Sequence, residues 1–236
     1  MNAHGCALHD PVAPEVTAAL LAAGSDLFVP AGTLLFGQGD PADRFFLLRS
    51  GRVRLFVGDS GGGEAVLHVF GPGDMFGLPA MVGLQRYPVN GEALTDCSIA
   101  VVTRGALLSR LEAEPARLTS LLGVLGARWR AMARRLAELK ALPPTQRVCI
   151  WLLRAAAEAV PGRAGDEADD GPVAFTLDVP HYVMAGAVGM APENLSRAFQ
   201  RLRDHGIQVR RREVQIESLA TLRTLALGEG CETGLD

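Results

Sequence analysis

Residues 189–206 have the sequence GMAPENLSRAFQRLRDHG, in which a proline precedes Glu193, Ser196 and Arg197. Spacings of three and four place these three side chains on one face of a helix, within its first turns. A second stripe with the same period is apolar and consists of Leu195, Phe199 and Leu202. The pattern predicts an amphipathic helix whose polar tip carries an acid, a hydroxyl and a guanidinium.

The segments on either side of this helix extend the pattern. PHYVMAGAVG, residues 180–189, predicts a helix with proline at its first position and glycine at its end. IQVRRREVQI, residues 207–216, alternates around a run of arginines and predicts a β-hairpin. Two helices joined by a short glycine-containing turn and followed by a hairpin form a winged helix-turn-helix. The second helix is therefore predicted to enter the major groove of DNA.

The side chains of this predicted recognition helix match base edges and phosphates. Arg197 fits guanine O6 and N7, Glu193 can accept from cytosine N4, and Ser196 can pair with either kind of edge. Five further arginines are the predicted phosphate contacts: Arg201, Arg203, Arg210, Arg211 and Arg212. Residues 197–212 hold six arginines and one acid, whereas the whole chain has a net charge of −3. The positive charge is therefore local, as a DNA-binding face requires.

The N-terminal half predicts a different architecture. Residues 27–104 contain short β-type runs separated by glycine and proline, which indicate an all-β barrel or roll. Residues 105–141 predict a dimerisation helix with a heptad seam at Leu118, Leu122, Leu125, Trp129, Met132, Leu136 and Leu139. A strict heptad favours a parallel coiled-coil dimer, and the alternative is a helix packed on its own domain. The remaining segments are an N-terminal arm with a short helix (1–26), the winged helix (142–226) and a polar tail (227–236).

Several classes of protein are excluded by what the sequence lacks. The four cysteines, Cys6, Cys97, Cys149 and Cys231, lie far apart, so neither a disulfide framework nor a metal site is predicted. No apolar run reaches the ~18 residues of a membrane helix, and the N-terminus does not have a signal-peptide pattern. The GxSxG spacing occurs in GDSGG at residues 58–62, but this Gly-rich stretch lies between predicted strands and is interpreted as a hairpin loop, not as a nucleophile elbow. A Walker loop is absent, and the five histidines are scattered. We therefore expect a cytoplasmic protein that is not an enzyme.

Three segments resemble the cyclic-AMP receptor protein / fumarate–nitrate reduction regulator (CRP/FNR) family: FGQGDPADRFFLLRSGRVRLF, FGPGDMFG and MAPENLSRAFQRLRDHGI. The resemblance implies an α+β fold with a cyclic-nucleotide-binding-like β-roll, a long dimerisation helix and a C-terminal winged helix-turn-helix. It implies a homodimeric transcription regulator that binds a palindromic operator, responds to a small effector and contacts RNA polymerase. The E-x-x-S-R form at Glu193, Ser196 and Arg197 is similar to the FNR branch and implies half-sites like TTGAT.

The resemblance also bears on the effector. The family's cyclic-nucleotide pocket has a Glu and an Arg–Ser pair, where this chain has Leu78 and then Tyr87 with Pro88. Cyclic AMP is therefore not expected, although a one-residue shift of the loop would bring Arg86 into place. The iron–sulfur branch carries clustered cysteines in its N-terminal arm, where this chain has only Cys6, so a cluster is not expected either.

The remaining resemblance is to the cluster-less DNR/NNR-type branch, which responds to nitric oxide through haem. TQRVCIWLL, residues 145–153, and the predicted recognition helix resemble it most. Haem needs an axial ligand, for which the candidates near the sensor are His4, His9 and His68. The candidate effector pocket consists of His68, Phe76, Leu78 and Tyr87. Two alternatives stay open: a ligand-binding β-roll module that does not recognise DNA, and a regulator that responds to another small effector.

Overall fold

The computed structural model describes residues 24–58, 64–160 and 170–228. The predictions for the N-terminal arm, the Gly-rich hairpin loop, the acidic loop after residue 160 and most of the polar tail lie outside these residues, as do His4, His9, Cys6 and Cys231. The described chain divides into two compact units. We call residues 24–133 the β-roll unit and residues 134–228 the winged-helix unit.

The β-roll unit contains two antiparallel four-stranded sheets. One has the strand order β1-β8-β3-β6, and the other has the order β2-β7-β4-β5. The strands are β1 (Ser25–Val29), β2 (Leu34–Phe36), β3 (Arg44–Ser50), β4 (Val53–Gly58), β5 (Glu64–Phe70), β6 (Met75–Phe76), β7 (Asn90–Ala93) and β8 (Cys97–Thr103). A short π-helical turn at Ala80–Leu84 connects β6 with β7. This is the roll that the sequence predicts.

Strand β3, inside the first sheet, is buried on both faces. Successive residues of a strand point to opposite sides, so Phe46 and Leu48 of β3 enter the apolar cluster between the two sheets, whereas Phe45 and Leu47 enter a second cluster. This second cluster also contains residues of the two helices that follow the roll. Burial on both faces explains why β3 has a continuous apolar run rather than an alternating pattern.

The helix predicted over residues 105–141 is two helices. α1 spans Arg104–Ala113 and α2 spans Arg117–Ala141. Pro115 lies between them and has no N–H to continue the helical hydrogen bonds, so the prediction of one helix was wrong at this point. α2 nevertheless holds the whole heptad seam. Neither this 25-residue helix nor any other helix in the described ranges is long and apolar enough to cross a membrane.

The winged-helix unit combines helices with a three-stranded antiparallel sheet of order β10-β11-β9. Its elements after α2 are α3 (Pro144–Ala159), β9 (Val173–Thr176), α4 (His181–Val188), α5 (Pro192–Arg203), β10 (Ile207–Arg210), β11 (Glu213–Ile216) and α6 (Leu219–Leu227). Pro180 is the N-cap of α4 rather than its first helical residue, which corrects the sequence expectation by one position. α4, the turn, α5 and the β10–β11 hairpin follow in the predicted order.

Candidate nucleic-acid interface

The turn between α4 and α5 is fixed by a glycine. Gly189 has φ +69°, and the next N–H, that of Met190, donates to the Ala185 carbonyl at 3.0 Å. A Cβ at Gly189 would lie 2.5 Å from Cδ2 of Leu139. The left-handed backbone favours glycine, and a larger residue would also have to displace the end of the Leu139 side chain. The turn sets the point from which α5 starts.

α5 has one buried face and one exposed face. The predicted apolar stripe of Leu195, Phe199 and Leu202 is buried. Glu193, Ser196 and Arg197, predicted to contact bases, are exposed near its N-terminus. The Ser196 hydroxyl donates to the Pro192 carbonyl at 3.2 Å, which leaves its oxygen able to accept from a ligand.

The arginines predicted to contact phosphates are all exposed in the winged-helix unit. Arg201 and Arg203 lie in the last turn of α5, which packs against β10. Arg210, Arg211 and Arg212 lie at the end of β10 and in the two-residue loop before β11. Such a row of guanidinium groups on one hairpin can hold a phosphate backbone without regard to sequence.

One polar residue on the exposed face of α5 was missed from the sequence. Gln200 is exposed and lies three residues after Arg197 and four after Ser196, so it shares their face. A glutamine amide matches adenine N6 and N7. The spacing that led to Glu193, Ser196 and Arg197 would have identified it, had the pattern been followed one turn further.

The four residues of the candidate effector pocket do not come together. Phe76 and Tyr87 belong to the cluster between the two sheets, whereas Leu78 is buried in the second cluster with α1 and α2. His68 is half-buried on β5 and contacts the ring of Phe70 edge-on. Leu78 lies beyond the end of β6 and follows Gly77, whose φ is +84°, so the alternation of the strand does not extend to it. It enters the second cluster, and the predicted grouping of Leu78 with Phe76 and Tyr87 is not observed.

Stacked aromatic rings fill the space between the sheets. Tyr87 stacks on Phe36 with 4.0 Å between ring centroids, and Phe76 stacks on both Phe46 and Phe70. The Tyr87 hydroxyl donates to the Arg44 carbonyl at 2.6 Å. Burial raises the pKa of Tyr87 to about 12, and the charge of Asp43 acts in the same direction. The phenol is therefore neutral and supplies no cation for a phosphate.

Arg86 does not occupy the position of the arginine in the family's Arg–Ser pair. Its side chain is exposed, and Nη1 donates to the Gly39 carbonyl at 2.6 Å. A β-bridge between Pro41 and Arg86 holds the same loop. The shift that would bring Arg86 into the position of the family's cyclic-phosphate ligand is not observed.

The described thiols and acids do not form a metal site. Cys97 and Cys149 are buried, and the Cys97 thiol contacts the Arg52 and Thr95 carbonyls at 3.3 and 3.1 Å. Burial raises the pKa of the Cys97 thiol, which disfavours the thiolate form that binds metals. Across residues 24–58, 64–160 and 170–228, no three His, Cys, Asp or Glu side chains are grouped as metal ligands would be.

The heptad seam of α2 is largely exposed in the single chain. Trp129 and Met132 are 72% and 68% exposed, and Leu118, Leu122 and Leu136 are also exposed. The other two members have contacts within the chain: Leu125 packs against the second cluster, and Leu139 lies against Gly189. Within the residues that the structure describes, Trp129 and Met132 are the most exposed members of the seam, and most of its length is left open to a further surface.

Comparisons with known proteins identify both units. Residues 27–114 match the cyclic nucleotide-binding domain family, and residues 146–225 match the Crp-like helix-turn-helix domain family. A solved structure from Ruegeria pomeroyi, described as a candidate cyclic nucleotide binding protein, is 32% identical, with 92% of this chain and 91% of that chain covered and a TM-score of 0.66. The chain belongs to the CRP/FNR family of transcription regulators.

Two curated relatives align over most of this chain. The cyclic AMP receptor protein of Thermus thermophilus is 26% identical over 225 residues, which cover 95% of this chain and 98% of that protein. The transcriptional activator protein Anr of Pseudomonas aeruginosa is 28% identical over 200 residues, covering 84% and 79%. This CRP/FNR protein is thus a DNA-binding transcription regulator with an N-terminal β-roll and a C-terminal helix-turn-helix. The comparisons do not assign it to the DNR/NNR-type branch.

The loop of the wing combines charge with backbone strain. Arg211 has φ +54°, a conformation that costs roughly 1–2 kcal/mol for a residue other than glycine. We expect Arg211→Gly to be more stable to urea than Arg212→Gly by about 1 kcal/mol, because only the first substitution relieves this strain. Both remove one positive charge, so both should lower the slope of log K against log salt for DNA binding by about one per subunit. Equal stabilities would contradict the strain, and an unchanged slope would contradict a phosphate contact.

Proposed function

We propose that this CRP/FNR regulator binds, as a homodimer, a palindromic operator with half-sites like TTGAT. The observation that supports this is the exposed Glu193, Ser196 and Arg197 face at the start of α5. The guanine of TTGAT offers O6 and N7 to Arg197, and its paired cytosine offers an amine to Glu193. The basic wing then holds the backbone. Contact with RNA polymerase and the absence of catalysis are part of the same proposal.

The dimer is proposed from the seam of α2. Large apolar side chains such as Trp129 and Met132 each gain about 1.5–3 kcal/mol when they leave water. Their heptad spacing matches a second copy of the same helix, since the seam would face itself across a two-fold axis. A two-fold axis presents two recognition helices to successive major grooves about 34 Å apart, as a palindrome requires.

The effector is proposed to be neither cyclic AMP nor haem held inside the roll. The Tyr87 phenol is neutral and stacks on a phenylalanine ring, and Leu78 is buried in the second cluster. The Arg86 guanidinium donates to the Gly39 carbonyl. A cyclic phosphate placed there would be an unpaired buried anion. Haem does not fit the interior either, because packed aromatic rings fill it and the one described ligand candidate, His68, lies against Phe70. Nitric-oxide sensing through haem is therefore not favoured, and another small effector is proposed.

Operator binding is tested with a TTGAT-n4-ATCAA duplex and a scrambled duplex of the same length. We expect Arg197→Ala to weaken operator binding about ten- to hundredfold, as the loss of a bidentate base contact of ~1–3 kcal/mol requires. Binding to the scrambled duplex should change less than about threefold, because phosphate contacts dominate it. Fluorescence anisotropy across a salt series measures both affinities.

Arg49→Ala is the matched control, since Arg49 is an exposed arginine on β3 that pairs with Asp26. It should bind both duplexes like the wild type. Equal loss on both duplexes for Arg197→Ala would argue against a base contact. A wild-type protein that does not distinguish the duplexes would instead support the alternative of a β-roll module that does not recognise this DNA.

The dimer is tested by sedimentation equilibrium at micromolar concentration. We expect the wild type to be a dimer and Trp129→Glu to be a monomer, because a carboxylate would be buried without a partner in the seam. Phe28→Glu is the control: Phe28 on β1 is 67% exposed, close to the value for Trp129, but lies outside the seam. A monomeric wild type, or a dimeric Trp129→Glu, would rule out this interface.

The effector proposal is tested by titration of the purified protein with cyclic AMP and with haemin. We expect no saturable heat and no change in operator affinity with cyclic AMP up to about 1 mM, since Leu78, Tyr87 and Pro88, at the positions of the family's ligands, offer no positive charge to the phosphate. Haemin should show no stoichiometric Soret shift. Adenosine 5′-monophosphate serves as the control nucleotide. A saturable response to cyclic AMP alone would show that the roll opens to accept it.

A further inference from the structure

Arg147 of α3 donates to four main-chain carbonyls from two separate parts of the winged-helix unit. Its Nε donates to the Val188 carbonyl at 2.8 Å and its Nη2 to the Gly189 carbonyl at 3.1 Å. Its Nη1 donates to the carbonyls of Leu139 and Leu142 at 3.3 and 2.9 Å. The first pair ends α4, and the second pair ends α2. One guanidinium therefore joins the end of the dimerisation helix to the turn before the recognition helix.

Arg135 of α2 makes a parallel contact. Its Nη2 donates to the Ala187 carbonyl at 2.9 Å, so Arg135 and Arg147 together occupy three successive carbonyls at the C-terminus of α4. These carbonyls have no partner within their own helix, and a cation there also complements the helix dipole. Burial and the charge of Arg154 lower the pKa of Arg135 from its ordinary value, but a guanidinium still keeps its proton at biological pH.

Packing around these bonds leaves little room for movement. Leu139 lies against Gly189, so the last turn of α2 and the turn after α4 are in direct contact. Glu138 of α2 forms an ion pair with Arg154 of α3, and both side chains are mostly buried. The last two turns of α2 are thus held to α3 and to the end of α4 by packing, an ion pair and hydrogen bonds.

We propose that Arg147 is a positioning residue that sets the spacing between operator half-sites that this regulator accepts. The proposal rests on the proposed dimer and its palindromic operator. If the dimer is built on α2, the direction of α5 relative to the end of α2 decides how far apart the two recognition helices lie. A planar guanidinium can hold both pairs of carbonyls in one geometry, whereas a lysine ammonium is a single point that cannot span them.

The test is selection of bound duplexes from a pool in which the half-sites and the spacer are both random, followed by sequencing. The wild type should yield one half-site sequence and one dominant spacer length, because one extra base pair moves a half-site by about 3.4 Å and turns it by about 35°. Arg147→Gln should yield the same half-site with spacers spread over several lengths. A purely structural loss would lower recovery of every duplex without broadening the spacer.

Affinities then quantify the effect on three selected palindromes that differ by one base pair in spacer length. We expect the wild type to prefer its spacer by about tenfold or more over each neighbour, and Arg147→Gln to prefer it by less than about threefold. Arg147→Lys should retain little of the wild-type preference, since a positive charge without the planar guanidinium cannot bond to both pairs of carbonyls. Circular dichroism and urea unfolding check that each variant is folded.

Arg135→Gln provides a second variant should Arg147→Gln fail to fold, since it removes the bond to the Ala187 carbonyl and leaves the four bonds of Arg147 in place. It should also broaden the distribution of spacer lengths, but by less than Arg147→Gln does. A folded Arg147→Gln that keeps the single wild-type spacer would overturn the proposal, as would a change of half-site sequence. If the wild type selects a half-site unlike TTGAT, only the proposed operator is contradicted. If it selects single half-sites, both the proposed dimer and the proposed role of Arg147 are contradicted.

Discussion

The start of α5 depends on one constraint, the left-handed turn at Gly189 beside Leu139. A left-handed residue must end α4, and the space beside it is already taken by a leucine from α2. Glycine adopts this backbone without strain, and its lack of a Cβ leaves the leucine in place. Because α5 starts three residues later, the position of its polar tip follows from this contact and from the guanidinium groups that hold the same carbonyls. α5 is therefore placed by main-chain geometry as well as by its own apolar stripe.

Local signals carried most of what the sequence could predict about this unit. The stripe of Leu195, Phe199 and Leu202 has helical period, and the segment Ile207–Ile216 alternates around its arginines, so both elements follow from spacing alone. Exposure of Glu193 and Arg197 also follows, because one face of an amphipathic helix must be buried. Gln200 obeys the same rule and was missed only because the pattern was followed for too few turns.

Features that depend on contacts between distant residues could not be predicted in this way. The position of Leu78 depends on which face of the first sheet α1 and α2 cover, and spacing along the chain does not reveal that. Arg147 bonds only to main-chain carbonyls, which every sequence contains, so no motif marks it. Pro115 is different, because an interior proline predicts a break in a helix. The heptad seam begins only at Leu118, so it is compatible with the break between α1 and α2.

The uneven distribution of charge has a consequence for how this regulator approaches a duplex. Six arginines lie within residues 197–212, while the chain as a whole is acidic, so the remaining surface is more negative than the net value of −3 indicates. The phosphates of DNA attract the arginine-rich segment and repel the acidic remainder of the chain. Their field therefore exerts a torque on the molecule before contact is made. The field therefore favours encounters in which the arginine-rich segment faces the duplex, which raises the rate of productive association rather than the affinity.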